Sequence, residues 1–177
     1  IIANAQLEAL PYATSYIPNF GNSAGETRGA DSLTNFGSEQ IIDSESGILF
    51  FEGSALADGG AGNISLSSGQ SSNRLTINYT STPSRIDLSC VIGGSNQGSV
   101  TYNGNQKDNL KIGLRYNQSL AEMFANGISQ GTIPIIGFSE NIISTLQFNQ
   151  GNGSSAPFYG RVRQVKHLPY NTDITTL

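Results

Sequence analysis

"NRLTINYTSTPSRIDLSCV", residues 73–91, contains two runs in which every second side chain is apolar. Leu75, Ile77 and Tyr79 alternate with Arg74, Thr76 and Asn78; Ile86, Leu88 and Cys90 alternate with Arg85, Asp87 and Ser89. A period of two is that of a strand with one face in a core and the other turned away from it. The linking "TSTPS" supplies a proline and short hydroxyl side chains, the usual chemistry of a turn. The two runs therefore read as neighbouring antiparallel strands. On their polar face Arg74, Thr76 and Asn78 would lie side by side with Arg85, Asp87 and Ser89.

The same texture recurs along the chain. "GILFFEGSA" (47–55) is apolar on both faces in its middle, as expected of a central strand covered on both sides. "NISLSS" (63–68) alternates, and "NLKIGLRY" (109–116) places Leu110, Ile112, Leu114 and Tyr116 inward with Lys111 and Arg115 outward. Asn126-Gly127 predicts a type I′ hairpin, because both central residues of that turn need positive φ. In "FYGRVRQVKHL" (158–168) Val162 and Val165 are three apart, which breaks the alternation and predicts a β-bulge. The tail "NTDITTL" reads as a short turn covering a sheet edge. No segment has a helical period with caps at both ends. Short strands separated by Gly/Asn turns describe an all-β chain, an antiparallel β-sandwich.

Composition narrows the function. Only 12% of residues are charged, about half the usual share, while 37% are hydrophobic and there are 21 glycines. Such a chain has enough apolar residues for a core and a surface of hydroxyls and amides. This balance is common in secreted and virion β-proteins and rare in cytosolic enzymes. A net charge of −4 with scattered basic residues leaves no footprint for nucleic acid. No apolar run approaches the roughly 20 residues of a membrane span, so no membrane insertion is expected. Cys90 is alone, which rules out an internal disulfide framework, and its alternation with Ile86 and Leu88 makes it a small core residue.

Taken in order, "QLE…ATSYIPN", "SGILFFEGSALAD", "NRLTINY", "LKIGLRYN", "FANGISQG" and "FYGRVRQVKHLP" resemble a known family. It is that of the concanavalin A-like, laminin-G-like jelly-roll domains at the ends of bacteriophage tail-fibre and tailspike proteins, found also in prophage and bacterial surface proteins. The resemblance covers nearly the whole chain. It implies a sandwich over 41–177 and an inter-domain connector over 1–40, with residues 1–8 completing an upstream fibre module and "ETRGADSL" (26–33) leading into the sandwich. F-x-G-x-[VI]-x-x-[VL], here Phe158, Gly160, Val162 and Val165, would be the final core strand. Phe124 stands where a larger aromatic is frequent. The implied setting is the virion, as a homotrimer, with host cell-surface glycan as partner.

Hydrolases of this fold need two carboxylates facing each other across a cleft, usually as E-x-D-x-x-E on one strand. That string is absent, and Asp43 and Glu45 of "DSES" read as turn residues, so no catalysis is expected. His167, the single histidine, has no cysteine beside it for a metal site. No cofactor is expected, apart from a weak calcium candidate in the loop "ADGGAGN", with Asp58 and Asn63 as the ligands. What remains is a binding surface for carbohydrate. Arg74, Thr76, Asn78, Arg85 and Asp87 are its candidates, because planar donors and short hydroxyls suit sugar hydroxyls and acids. Tyr102 in "VTYNGN" is the candidate exposed ring on which a sugar would stack. A purely structural capping module and a polysaccharide-degrading enzyme are the competing readings.

Overall fold

A computed structural model describes residues 42–153 and 155–175. The expected connector over 1–40 lies outside the described residues. The described residues form ten strands and no helix: β1 (Gly47–Ala55), β2 (Gly62–Ser67), β3 (Arg74–Tyr79), β4 (Arg85–Ile92), β5 (Ser95–Asn103), β6 (Leu110–Tyr116), β7 (Leu120–Ala125), β8 (Ile128–Pro134), β9 (Thr145–Gln147) and β10 (Gly160–Leu168). They make two five-stranded antiparallel sheets, β10-β1-β6-β7-β8 and β5-β4-β3-β2-β9.

Alternation sends one side chain in two from each sheet into a shared core. Leu49 and Phe51 of β1, Ile112 and Leu114 of β6 and Met123 of β7 come from the first sheet. They face Ile64, Leu66, Leu75, Ile77, Ile86, Leu88 and Cys90 of the second. Each such side chain contributes about 1.5–3 kcal/mol on burial, which is why the period-two pattern fixes which face is inside. At one end Phe51, Tyr79 and Phe158 meet with ring centroids 5.0–6.3 Å apart, within the range for favourable aromatic contacts. Tyr79 and Tyr116 are buried as their phase predicts, and burial pushes both phenols above their ordinary range. Cys90 is also buried, its thiol pushed up to about 12 by desolvation, and it stays inert in the core.

The β7–β8 hairpin turns through Asn126 and Gly127 at φ 49° and 78°, the positive pair that a type I′ turn requires. The bulge on β10 is present as well. Glu52 of β1 pairs with Gln164 and Gly53 pairs with Val162, so Arg163 is the extra residue. Two expectations need correction here. β10 is an edge strand, and Val162 is 44% exposed, so the closing motif anchors the sandwich through Phe158 and Val165 and not through Val162. The tail covers a face instead of an edge. Ile174 packs with Ile48, Phe50 and Phe124 on the outer side of the first sheet, directly over Gly113, where a side chain would collide with it. This second cluster explains why β1 is apolar on both faces.

Candidate functional site

The outer face of the second sheet follows from the same alternation. With Leu75, Ile77, Ile86 and Leu88 turned inward, the intervening residues stack across strands in register. Gln147, Ser65, Thr76, Ser89 and Ser99 form one row across all five strands. Asn63, Asn78, Asp87 and Thr101 form the next. On the other side lie Thr145, Ser67, Arg74 and Val91, the last of these the apolar exception. The face is thus a grid of hydroxyls and amides with very few charges.

The grid has a closed half and an open half. Over β2 and β9 the segment following β9 folds back. Ser65 Oγ donates to the Asn149 carbonyl at 2.9 Å and Ser67 Oγ to the Gly151 carbonyl at 3.2 Å. The Asn63 amide N–H reaches the Ala156 carbonyl at 3.0 Å. Ser65 and Ser67 are consequently fully buried. Over β3, β4 and β5 the face is more open: Arg74, Asn78, Ser89 and Thr101 are partly exposed, and Arg85 and Ser99 are exposed. Asp87 is the carboxylate of this half. Its Oδ1 accepts from Thr101 Oγ1 at 2.7 Å and from Arg85 Nε at 3.0 Å. The hydrogen bond to Arg85, with the charge behind it, holds that guanidinium above its usual pKa. Asp87 and Arg85 therefore neutralise each other and leave a surface of planar and hydroxyl donors and acceptors. Such a surface can hydrogen-bond to sugar hydroxyls, with Arg74 at the far end of β3 adding a positive charge.

Register brings Thr76, Asn78, Arg85 and Asp87 to this face as expected, with Arg74 on the same face at the far end of β3. Thr76 and Asp87 are less accessible than the sequence implied, at 2% and 8% exposure. Asp87 is closed in by its own partners, and Thr76 sits in mid-row on the central strand. Tyr102 is corrected outright. It pairs with Ile86, a core residue, and its ring packs partly buried against the core instead of standing on the open face. The clue was Val100, two residues earlier and so on the same side of β5. The calcium candidates are not one ligand set. Asp58 accepts from the Ser84 backbone N–H at 2.7 Å and from Ser84 Oγ at 3.2 Å, which holds its carboxyl below the usual range. Asn63 belongs to β2 and turns toward Ala156. Among the described residues no group of three or more His, Cys, Asp or Glu side chains could hold a metal ion. Asp43 caps its own turn, accepting from the Glu45 N–H at 2.8 Å and from Ser46 Oγ. The residues missed from sequence are Ser99 and Thr101 on β5 and Thr145 and Gln147 on β9, two strands with too few apolar residues to show a period.

No family model matches this chain, and no curated protein does. Among solved structures, the chain is similar to the CBM40 of the Ruminococcus gnavus IT-sialidase bound to alpha2,3 sialyllactose. The TM-score is 0.57 at 12% identity, over 75% of this chain and 82% of that one. It is similar also to CG-16, a homodimeric agglutinin from chicken liver, with TM-score 0.51 and 12% identity over 78% of this chain and 99% of that one. A third is mouse laminin alpha1 domains LG4-5, with TM-score 0.57 and 12% identity over 81% of this chain and 40% of that one. The fold is concanavalin A-like. At such low identity the likeness extends to the jelly-roll architecture that carbohydrate-binding modules, lectins and laminin G domains share, and not to any one set of site residues.

Proposed function

We propose that this chain is a non-catalytic carbohydrate-binding module that uses the open half of the second sheet's outer face. The observation that carries the reading is the polar grid of β3, β4 and β5, broken at Val91 alone. Its side chains are mostly hydroxyls and amides around a single self-neutralised carboxylate, groups suited to sugar hydroxyls. The CBM40 structure similar to this chain is described as bound to alpha2,3 sialyllactose and the chicken protein as an agglutinin, which supports a glycan as ligand. The sequence resemblance supports the finer setting. The domain would sit at the end of a phage tail fibre or tailspike on the virion, downstream of another fibre module, as a homotrimer that adsorbs to host cell-surface glycan. Weak single sites suffice there, since linkage makes later contacts effectively intramolecular.

The test is an array of bacterial surface and mammalian glycans probed with the chain displayed on a multivalent carrier. Binding that disappears in an Asn78→Ala/Ser99→Ala variant of unchanged melting temperature supports the reading. No binding to any glycan sinks it. Appearance of new reducing ends when the chain is incubated with a bound polysaccharide would make it an enzyme instead.

A further inference from the structure

Five buried side-chain polar atoms among the described residues have no hydrogen-bond partner, and three of them lie on the outer face just described: Arg74 Nε, Thr76 Oγ1 and Gln147 Oε1. Buried polar atoms left without a partner are rare and each costs free energy. Gln147 lies in the closed half and Thr76 is 2% exposed, so Arg74, partly exposed on the open half, is the one that a ligand can complete. Thr76 and Gln147 share a row, with Ser65 between them, and Arg74 is two residues from Thr76 on the same strand. Thr76 is almost wholly buried and offers a hydroxyl that can both give and accept.

Arg74 decides the chemistry of the ligand. Its Nη1 donates to the Ser71 carbonyl, which fixes one corner of the guanidinium. The opposite edge, Nε with Nη2, is the side on which two parallel N–H groups can meet a carboxylate. No ion pair is made to Arg74 among the described residues, whereas Arg85 is matched by Asp87, Arg115 by Glu122 and Arg163 by Glu52. Asp87 stands beside Asn78, at the other end of β3 from Arg74, and is already engaged. Burial disfavours the charged form of Arg74. A partly desolvated cation with no anion beside it is an unusual element in a chain of net charge −4.

We infer that Arg74 anchors an acidic subsite, in which its partly exposed guanidinium turns its Nε–Nη2 edge to the carboxylate of an acidic sugar and Ser89 binds a neighbouring hydroxyl. The inference rests on the carbohydrate-binding reading and narrows it from glycans in general to carboxylate-bearing ones.

Two matched pairs of probes test it by calorimetry: tetragalacturonate against its carboxyl-reduced, neutral form, and sialyllactose against lactose. The expected result is that at least one acidic member binds the wild-type chain roughly tenfold or more tightly than its neutral partner, the scale of a charge-assisted pair. In Arg74→Met that ratio falls to about one, with affinity for the neutral member unchanged; Arg74→Lys keeps a reduced preference, because it retains charge but not the fork. Equal binding of both members to wild type overturns the inference and leaves glycan binding intact. So does an acidic preference that survives Arg74→Met. Binding of no glycan, either to these probes or on the array, defeats both readings together.

Discussion

Replacing Gln106 with leucine should cost about 3 kcal/mol of stability, and the structure gives the reason. Gln106 lies in the β5–β6 connection and is fully buried. Its Oε1 accepts from the Gly59 N–H at 3.0 Å. Its Nε2 lies 3.0, 3.1 and 2.7 Å from the carbonyls of Thr80, Thr82 and Arg85. One amide thereby ties the β1–β2 loop to the β3–β4 turn, which begins the strand carrying Arg85 and Asp87. Leucine has a similar volume, so little cavity is made. What is lost is one acceptor and two donors, which strips the Gly59 N–H and the Thr80 carbonyl of their partner beside a fully buried side chain, while the Thr82 and Arg85 carbonyls still accept from Thr80 Oγ1. At about 1–3 kcal/mol for each strongly buried group, with partial relaxation, the sum is about 3 kcal/mol. For a domain of this size that lowers the melting temperature by roughly 6–12 °C. Gln106→Glu sharpens the test. Its carboxylate would face three carbonyls, so its folded-state pKa must rise above its unfolded value. Its relative stability is then best at low pH and is lost as pH rises through the folded pKa. Urea melts of both variants between about pH 4 and pH 8 measure this. A loss below about 0.5 kcal/mol for Gln106→Leu, within the range of ordinary surface substitutions, or a Gln106→Glu variant insensitive to pH, would refute the reasoning.

Two further outcomes follow from the first sheet. Glu52 accepts from Asn109 Nδ2 at 2.9 Å and Gln164 Nε2 at 2.8 Å and pairs with Arg163 at 3.2 Å; the Asn109 hydrogen bond is foremost in holding its carboxyl below the ordinary value of 4.5. Its contribution is present above that value and lost as pH falls through the lower folded pKa, so Glu52→Gln should flatten the acid limb of the stability curve in chemical melts. Ile174→Ala should unstrap the tail from Ile48, Phe50 and Phe124. The cost by urea titration should be about 2–4 kcal/mol, the range for an Ile-to-Ala change in a core.

The sequence made the inner faces legible and the outer ones only in part. Leu75, Ile77 and Tyr79 could only alternate one way, and the chemistry of Asn126-Gly127 permits few turns. The odd spacing of Val162 and Val165 has one simple cause in a sheet. These are local signals, and the structure keeps all of them. Tyr102 failed because β5, "SNQGSVTYN", carries just two apolar side chains and a bulge at Gln97, so its phase is hard to fix without Ile86 opposite. The burial of Ser65, Ser67 and Thr76 is a non-local fact. It depends in part on where residues 149–156 fold back, far along the chain from β2, and no period records that. Which residues of β3 and β4 share the polar face was legible. Which half stays open was not.

The central claim is that the open face over β3, β4 and β5 is where a glycan binds. Titration of the isotopically labelled chain with an array-positive oligosaccharide, followed by amide chemical shifts, tests it most directly. The account predicts saturable shifts at Asn78, Asp87, Ser89 and Thr101, with Ile48, Phe50 and Gly113 on the first sheet unmoved. Shifts confined to the first sheet or to the loop at Asp58, with the β3–β5 amides still, would contradict it.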